Sequence, residues 1–289
     1  MTPSTVPAIV VPVYGRLELL AQCLRAIDDH TFVSVPVLVI DDCGPQPVTE
    51  AVVRESLPSG RRFTLVRHER NEGFVATVND AFARCAGSDV VIVNSDVTVL
   101  PGWLGALREA LDESPATATS SAVADHGGIL SVAGLGALRD KPPDVVRAVI
   151  GRARRATAVA VEIPVAVAHC TYFTRQALAE VGGFDVAFSP GYGEEVDWSL
   201  RATQAGWRHV VALHCYVWHD EGASFGANPA RDRLRRRHEA RILARYPRSF
   251  VRIRRFARDP SSALAKELGA LSRALDTDTG RESGLASVR

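Results

Sequence analysis

The sequence predicts an α/β protein: a mostly parallel central sheet flanked by helices, with a helical extension at the C-terminal end. Three observations carry this. "AIVVPV" (Ala8 to Val13), "PVLVI" (Pro36 to Ile40) and "VVIV" (Val90 to Val93) are unbroken apolar runs of strand length, as strands buried on both faces require. The segments between them show helical periodicity, as the crossovers of a right-handed parallel sheet need. Each run ends in polar or acidic residues, "VYGR", "DDCGP" and "NSD", at the edge where open α/β sheets bind ligands.

The elements follow in order. Leu17, Leu20, Leu24 and Ile27 fall at i, i+3, i+7 and i+10, one face of an amphipathic helix after the first strand. A weaker helix (Val48 to Leu57), a short strand "FTLV" (Phe63 to Val66) and a helix from Glu72 to Cys85 lead to the Val90 strand. "GALREALDESP" is a helix ended before Pro115, and Asp125 to Arg155 is Gly-rich, basic and irregular, expected to be a loop or lid. "AVAVEIPVAVAHC" opens a second apolar block, followed by a helix at Arg175 to Val181 and a turn at Gly182 and Gly183. A helix from Glu194 to Gln204 is stopped by Gly206. Two short strands near Val210 and Val217 come next, then Arg-rich helix and a tail, "DTDTGRESGLASVR", with the composition of a disordered end.

Composition narrows the chemistry. The 289 residues are 46% hydrophobic and 23% charged with a net charge of +1, ordinary for a soluble globular protein. Lys141 and Lys266 are the two lysines, so nearly all positive charge is Arg, dense between Arg231 and Arg258. Five cysteines, an odd number at wide spacings without CxxC, argue against a disulfide framework or a zinc site and for a reducing, cytoplasmic setting. The N-terminal apolar run lacks a preceding basic region and is broken by Pro12, unlike a signal peptide. No run approaches ~18 apolar residues, so membrane association is expected to be peripheral, at the inner face through the Arg-rich segment. There is no GxxxxGK[ST], and "GLGALR" lacks both the third Gly and a preceding strand, which excludes a P-loop and a dinucleotide fingerprint. Acids at strand ends repel phosphate, so a nucleotide ligand requires a divalent cation, Mg²⁺ or Mn²⁺.

"VVPVYGRLELLAQCL", "VIDDCG", "NEGFVATVNDAF", "VVIVNSDVTVLPGWL", "GGFDVAFSPGYGEEVDWSLRATQAGW" and "VWHDEGAS" together resemble, in order and spacing, the family 2 glycosyltransferases with the GT-A fold, a Rossmann-like sheet. The resemblance covers Pro7 to Ser224 and is nearest to the rhamnosyltransferase-like and galactofuranosyltransferase-like bacterial branch. It implies a catalytic domain over 1–228, with 1–104 the nucleotide-sugar-binding half and 105–228 the acceptor-binding and catalytic half. An Arg-rich helical extension over 229–275 and a disordered tail over 276–289 follow.

The resemblance also implies roles. Pro12, Val13 and Tyr14 would line the nucleotide pocket, Asp42 would accept a hydrogen bond from a pyrimidine base, and Asn71, Gly73, Asn79, Asn94 and Ser95 would approach the donor. Asn71 suits a helix N-cap equally well. Asp96 resembles the last acid of the family's metal-binding triplet, with Asn94 where the first acid stands, and His219 matches a later metal-ligating His. Glu195 takes the place of the catalytic base, where Asp is commoner, with Glu194 beside it. His169, Thr171, Tyr192, Glu194 and Asp197 fall where acceptors are held, although Asp197 and Arg201 are also spaced as a helix ion pair. The implied activity is inverting transfer from a UDP- or dTDP-linked sugar, such as dTDP-L-rhamnose, to a hydroxyl of a glycan, a lipid-linked glycan or a natural product. Two other readings stay open: a sugar-phosphate nucleotidyltransferase, and a binding module that is either a degenerate nucleotide-sugar fold or an Arg-rich nucleic-acid binder, although no nucleic-acid partner is expected.

Overall fold

The structure, a computed structural model, describes residues 6–220 and 229–279. Its N-terminal half alternates strand and helix: β1 (Ala8–Val13), α1 (Leu17–His30), β2 (Val37–Asp41), α2 (Glu50–Ser56), β3 (Phe63–Arg67), α3 (Phe74–Arg84) and β4 (Val90–Val93). Then come β5 (Val97–Val99), α4 (Trp103–Asp112), β6 (Thr117–Ala124), α5 (Pro143–Arg154), β7 (Ala160–Ile163), β8 (Cys170–Phe173), α6 (Arg175–Val181), α7 (Glu194–Gln204) and β9 (Arg208–His219). Three helices follow the gap: α8 (Pro229–Arg245), α9 (Pro247–Phe256) and α10 (Ala263–Thr279).

One nine-stranded sheet runs β3-β2-β1-β4-β8-β6-β9-β5, with β7 also on β9. β1 to β4 pair in parallel, as Val10↔Leu38 and Val10↔Ile92 show. β8 is antiparallel to both β4 and β6, which restores the common direction to β6 and, through a parallel pairing, to β9. Six strands therefore point one way, and β5, β7 and β8 oppose them. Their carboxyl ends define one rim.

Because successive side chains alternate between faces, Ile9, Val11 and Val13 join α1, α2 and α4 in one apolar layer. Val10 joins α3, α6, α7 and Ile242 of α8 in the other. A third cluster binds α5 and α10 over Val211 and Leu213 of β9. Among the described residues no helix is long and apolar enough to cross a membrane. All five cysteines are free.

Three expectations need correction, and one strand went unread. The segment expected as an irregular loop or lid, Asp125 to Arg155, contains α5, whose Val146, Val149, Ile150 and Ala153 are buried. The strands near Val210 and Val217 are one strand, β9, whose pairing with β6 jumps from Ala122↔Ala212 to Val123↔Tyr216. That bulge exposes the His214 carbonyl, which accepts from Arg154 Nη2 at 2.9 Å. α10 extends to Thr279, into the segment expected to be a tail from 276. Thr117 to Ala124, "TATSSAVA", forms a fully buried strand that lacks the bulky run the other strands show. Three of its hydroxyls are satisfied internally, Ser120 Oγ by Leu107 O at 2.8 Å, Thr119 Oγ1 by His209 Nδ1 at 2.8 Å and Ser121 Oγ by Thr171 Oγ1 at 3.0 Å. The expected boundary at 228 lies outside the described residues.

Candidate active site

The rim is set by where the parallel strands stop. Tyr14, Asp41 and Asp42, His68, Asn94, Asp125 and the pair His219 and Asp220 each lie at the end of one of them. His169 reaches the same rim from the other direction, because antiparallel β8 begins there, with Val93 paired to Cys170.

The ladder itself creates the central pair. β5 pairs antiparallel with the end of β9, Val97 opposite His219, and Asp220 N–H donates to Asp96 O at 3.0 Å. This brings Asp96 Oδ1 to 3.5 Å from His219 Nε2. The other ring nitrogen, Nδ1, is 2.6 Å from His126 O; a carbonyl can only accept, so Nδ1 carries the proton. The ring thus turns its Nε2 toward a carboxylate oxygen, and these two groups share either a proton or a metal ion between them. A hard divalent cation fits this donor set. Among the described residues no group of three or more His, Cys, Asp or Glu is arranged to hold one, so donor phosphate oxygens and water would complete the shell.

Along the rim lie buried polar atoms without partners among the described residues. Asn94 Oδ1, both ring nitrogens of His169 and Glu194 Oε2 are of this kind. Such groups are rare in folded interiors and suit a site that awaits a ligand. The His169 ring stacks on His219 with centroids 5.2 Å apart and 16° between planes. Burial, with His219 next to it, pulls the His169 pKa down to about 3, so the ring is neutral. Ser95 lies partly exposed in the turn between β4 and β5, which Val97 N closes onto Asn94 O at 3.0 Å.

On the β1–β3 side, the structure gives several expected donor residues other tasks. Pro12 and Val13 are buried inside β1, which continues in register with β2 as far as Asp41, so the rim starts at the half-exposed Tyr14. Asp42 is 5% exposed and its oxygens accept from Glu72 N at 2.9 Å and Gly73 N at 2.8 Å, with His68 Nδ1 2.9 Å away. The carboxylate therefore pins the start of α3. Asn71 is exposed, and the cap position of α3 belongs to Gly73 rather than to Asn71. Gly73 has φ 86°, and a Cβ there would lie 2.6 Å from Pro190 Cβ, so this crossing admits only glycine. The Asn79 amide pairs on both sides with Phe184, Nδ2 to O at 2.9 Å and Oδ1 from N at 2.7 Å. It ties α3 to the Gly182–Gly183 turn.

That crossing leads to the acidic turn. α7 precedes β9, and a helix feeding a parallel strand has its N-terminus at the opposite, carboxyl rim; this places Glu194 and Glu195 there. Tyr192 has φ 74° and Gly193 φ 91°, a left-handed pair unusual for a bulky residue. His238 of α8 holds the turn, its Nδ1 2.8 Å from Tyr192 O and 3.1 Å from Gly191 O. Burial, with Glu195 adjacent, pushes the Glu194 carboxyl well above its ordinary value. Burial also raises Glu195, while backbone N–H groups and the Arg235 charge oppose the rise. Gly193 N donates to Glu195 Oε2 at 3.2 Å.

Two expected acceptor residues are enclosed. Thr171 is fully buried in β8 and its hydroxyl donates to Val167 O at 2.6 Å. Asp197 is fully buried and its oxygens accept from Arg201 Nε at 3.0 Å, Arg245 Nη1 at 2.9 Å and Tyr246 O–H at 3.1 Å. The ion-pair spacing of Asp197 and Arg201 is what the structure shows, extended to a hub between α7, α8 and α9. The Arg-rich segment is likewise partly structural, since Arg241 and Arg245 lie over the Phe188 ring at 5.7 and 5.4 Å.

Sequence reasoning missed Asp125, His126 and Arg139. Their signal was weak because they follow β6, a strand of small and hydroxylated residues.

A mixed α/β sheet flanked by helices in this order is the architecture of the GT-A glycosyltransferases. The mannosyltransferase PcManGT from Pyrobaculum calidifontis, in complex with GDP-Man and Mn²⁺, superposes with a TM-score of 0.60 at 19% identity, over 100% of this chain and 82% of that one. S. aureus TarS 1-349 in complex with UDP-GlcNAc gives a TM-score of 0.55 at 15% identity, over 93% and 81%. The chain belongs to glycosyl transferase family 2, whose model matches residues 8–182. Among curated relatives, glycosyltransferase AglE of Haloferax volcanii is 24% identical over 239 residues, 79% of this chain and 69% of that protein. The uncharacterized glycosyltransferase YwdF of Bacillus subtilis is 22% identical over 105 residues, 36% of this chain. The matches span 38% of YwdF and 26% of the uncharacterized protein y4gI of Sinorhizobium fredii.

Proposed function

We propose that the protein transfers a glycosyl group from a nucleoside diphosphate sugar to an acceptor hydroxyl, with inversion, using Mn²⁺ or Mg²⁺ held by Asp96 and His219. The convergence of Asp96 Oδ1 and His219 Nε2 at 3.5 Å, with the ring tautomer fixed by His126 O, carries this reading. PcManGT, complexed with GDP-Man and Mn²⁺, and TarS, complexed with UDP-GlcNAc, support the donor class. We assign a UDP- or dTDP-linked donor, dTDP-L-rhamnose among them, and a glycan, lipid-linked glycan or natural-product acceptor. A reducing cytoplasmic setting accords with the free cysteines, and exposed arginines of α8 and α9 would face the membrane's inner leaflet if the acceptor is lipid-linked.

When bound, the cation offsets charge on the departing diphosphate. Asn94 Oδ1 and Ser95 border the donor beside it, and Tyr14 offers a ring at the base end. Glu195 takes the proton from the attacking hydroxyl at its carboxylate. Its raised pKa brings it nearer to neutral, as efficient general bases require, and the positive end of α7 with Gly193 N–H keeps the ionised form available. Glu194, whose burial favours its protonated form, can donate a hydrogen bond to the acceptor. If Glu195 serves a single displacement, the attack comes from the face opposite the leaving group and the anomeric configuration inverts.

The test is a donor panel scored by thermal shift with and without Mn²⁺. A donor at 100 times its dissociation constant adds about 2.7 kcal/mol of stability, and the account expects that gain only with the metal. Glu195→Gln should bind the same donor and turn over at least ~100-fold more slowly. Donor stabilisation that ignores Mn²⁺, or full turnover by Glu195→Gln, removes the corresponding role.

A further inference from the structure

Asp125 follows β6 with its side chain 3% exposed, and its polar contacts link His126, Arg139 and the end of β9. Oδ1 accepts from the backbone N–H of His219 at 2.8 Å and of His126 at 3.0 Å. Oδ2 accepts from Arg139 Nε at 2.8 Å and Nη2 at 2.7 Å. The guanidinium then reaches on with Nη1 to Asp220 Oδ1 at 2.8 Å, and lies 5.8 Å over the Trp218 ring. His126, fixed through its N–H by Asp125, supplies the carbonyl that accepts from His219 Nδ1. His219 is thus gripped by its own backbone, by its ring and through the residue after it, from a single carboxylate–guanidinium pair.

We propose that Asp125, braced by Arg139, is the positioning element of the site, fixing the tautomer and direction of His219 so that Nε2 faces Asp96. This rests on the metal reading above. Arg139 also offsets the charges of Asp125 and Asp220 beside the Asp96–His219 pair. A ligand histidine oriented through its other nitrogen is a general feature of metal sites, and loss of such support typically costs 10- to 100-fold in metal affinity.

The experiment uses the full chain as Asp125→Asn, Arg139→Gln and the control Arg154→Gln. Arg154 staples the same strand, through His214 O and Pro101 O, but does not touch His219. Mn²⁺ is titrated alone, the free ion being counted by electron paramagnetic resonance, and the His219 ring is followed by ¹⁵N NMR without metal. The proposal expects Arg139→Gln and Asp125→Asn to weaken Mn²⁺ binding about 10-fold or more. It also expects the single Nδ1–H tautomer of the wild type to give way to a mixture in both. Arg154→Gln should keep the tautomer and the affinity even if its melting temperature falls. Wild-type tautomer and affinity in both site variants, or equal losses in the control, overturn the grip. If the wild type takes up no Mn²⁺, the metal reading falls, and the ring spectra alone decide the grip.

Discussion

Replacing Asp197 with Ala should destabilise the protein without touching its metal chemistry. The carboxylate is fully buried and serves Arg201, Arg245 and Tyr246 at once. Breaking a buried ion pair by removing one partner costs about 3–5 kcal/mol. Here the cost is smaller, because the arginine side chains are 28% and 37% exposed. Arg201 also keeps its bonds to Val181 O and Gly183 O, both at 2.7 Å, and Arg245 keeps Asp185 at 2.7 Å. Solvent and these remaining acceptors reduce the loss to about 2–3 kcal/mol. For a chain of this size each kcal/mol moves the melting temperature by about 2 °C, so the drop should be about 5 °C by calorimetry, with Asp197→Asn intermediate. Mn²⁺ binding measured well below the transition should match the wild type. A melting temperature within about 1 °C of the wild type would refute the hub and return Asp197 to the acceptor site.

Three further outcomes are expected. His209 is buried between Thr119 Oγ1 and Ser199 O, and burial holds its pKa down at about 4. Between pH 6.5 and 4 the unfolded chain therefore binds a proton that the folded ring refuses, so stability falls as pH falls through that window, by roughly 3 kcal/mol at most. Urea midpoints at pH 7.5 and 4.5 should show a smaller difference in His209→Gln. His238→Ala removes the donor that holds Tyr192 O and Gly191 O; turnover should drop about 10-fold or more as the Glu195 turn relaxes, while donor-induced thermal shift is retained. Gly73→Ala puts a methyl 2.6 Å from Pro190 Cβ at φ 86° and should cost more than ~1 kcal/mol, read from urea denaturation; a neutral result would contradict the crossing of α3 and the acidic turn.

The parallel half of the sheet was legible because β1, β2 and β4 are buried on both faces and leave unbroken apolar runs. α7 was legible to the residue, since Gly193 and Gly206 bracket its acidic start and its end. β6 was not, because Thr119, Ser120 and Ser121 satisfy their hydroxyls against His209, Leu107 O and Thr171, a partnership no local pattern reveals. With β6 unread, Asp125 had no strand end to occupy. α5 was hidden by its setting among glycines and prolines, although its buried face is regular. In the site, Asp96 and His219 were legible as motif residues, but what joins them is the β5–β9 register, a long-range property. Asp42, Asn79 and Asp197 share a different lesson: a polar residue inside a family motif can be held there to brace the loops around a ligand.

The most direct measurement is anomalous scattering at the manganese edge from crystals grown with Mn²⁺ and UDP. The account predicts one peak bonded to both an Asp96 carboxylate oxygen and His219 Nε2, with diphosphate oxygens completing its coordination. A peak bonded to neither side chain, with UDP bound at the rim, would contradict it.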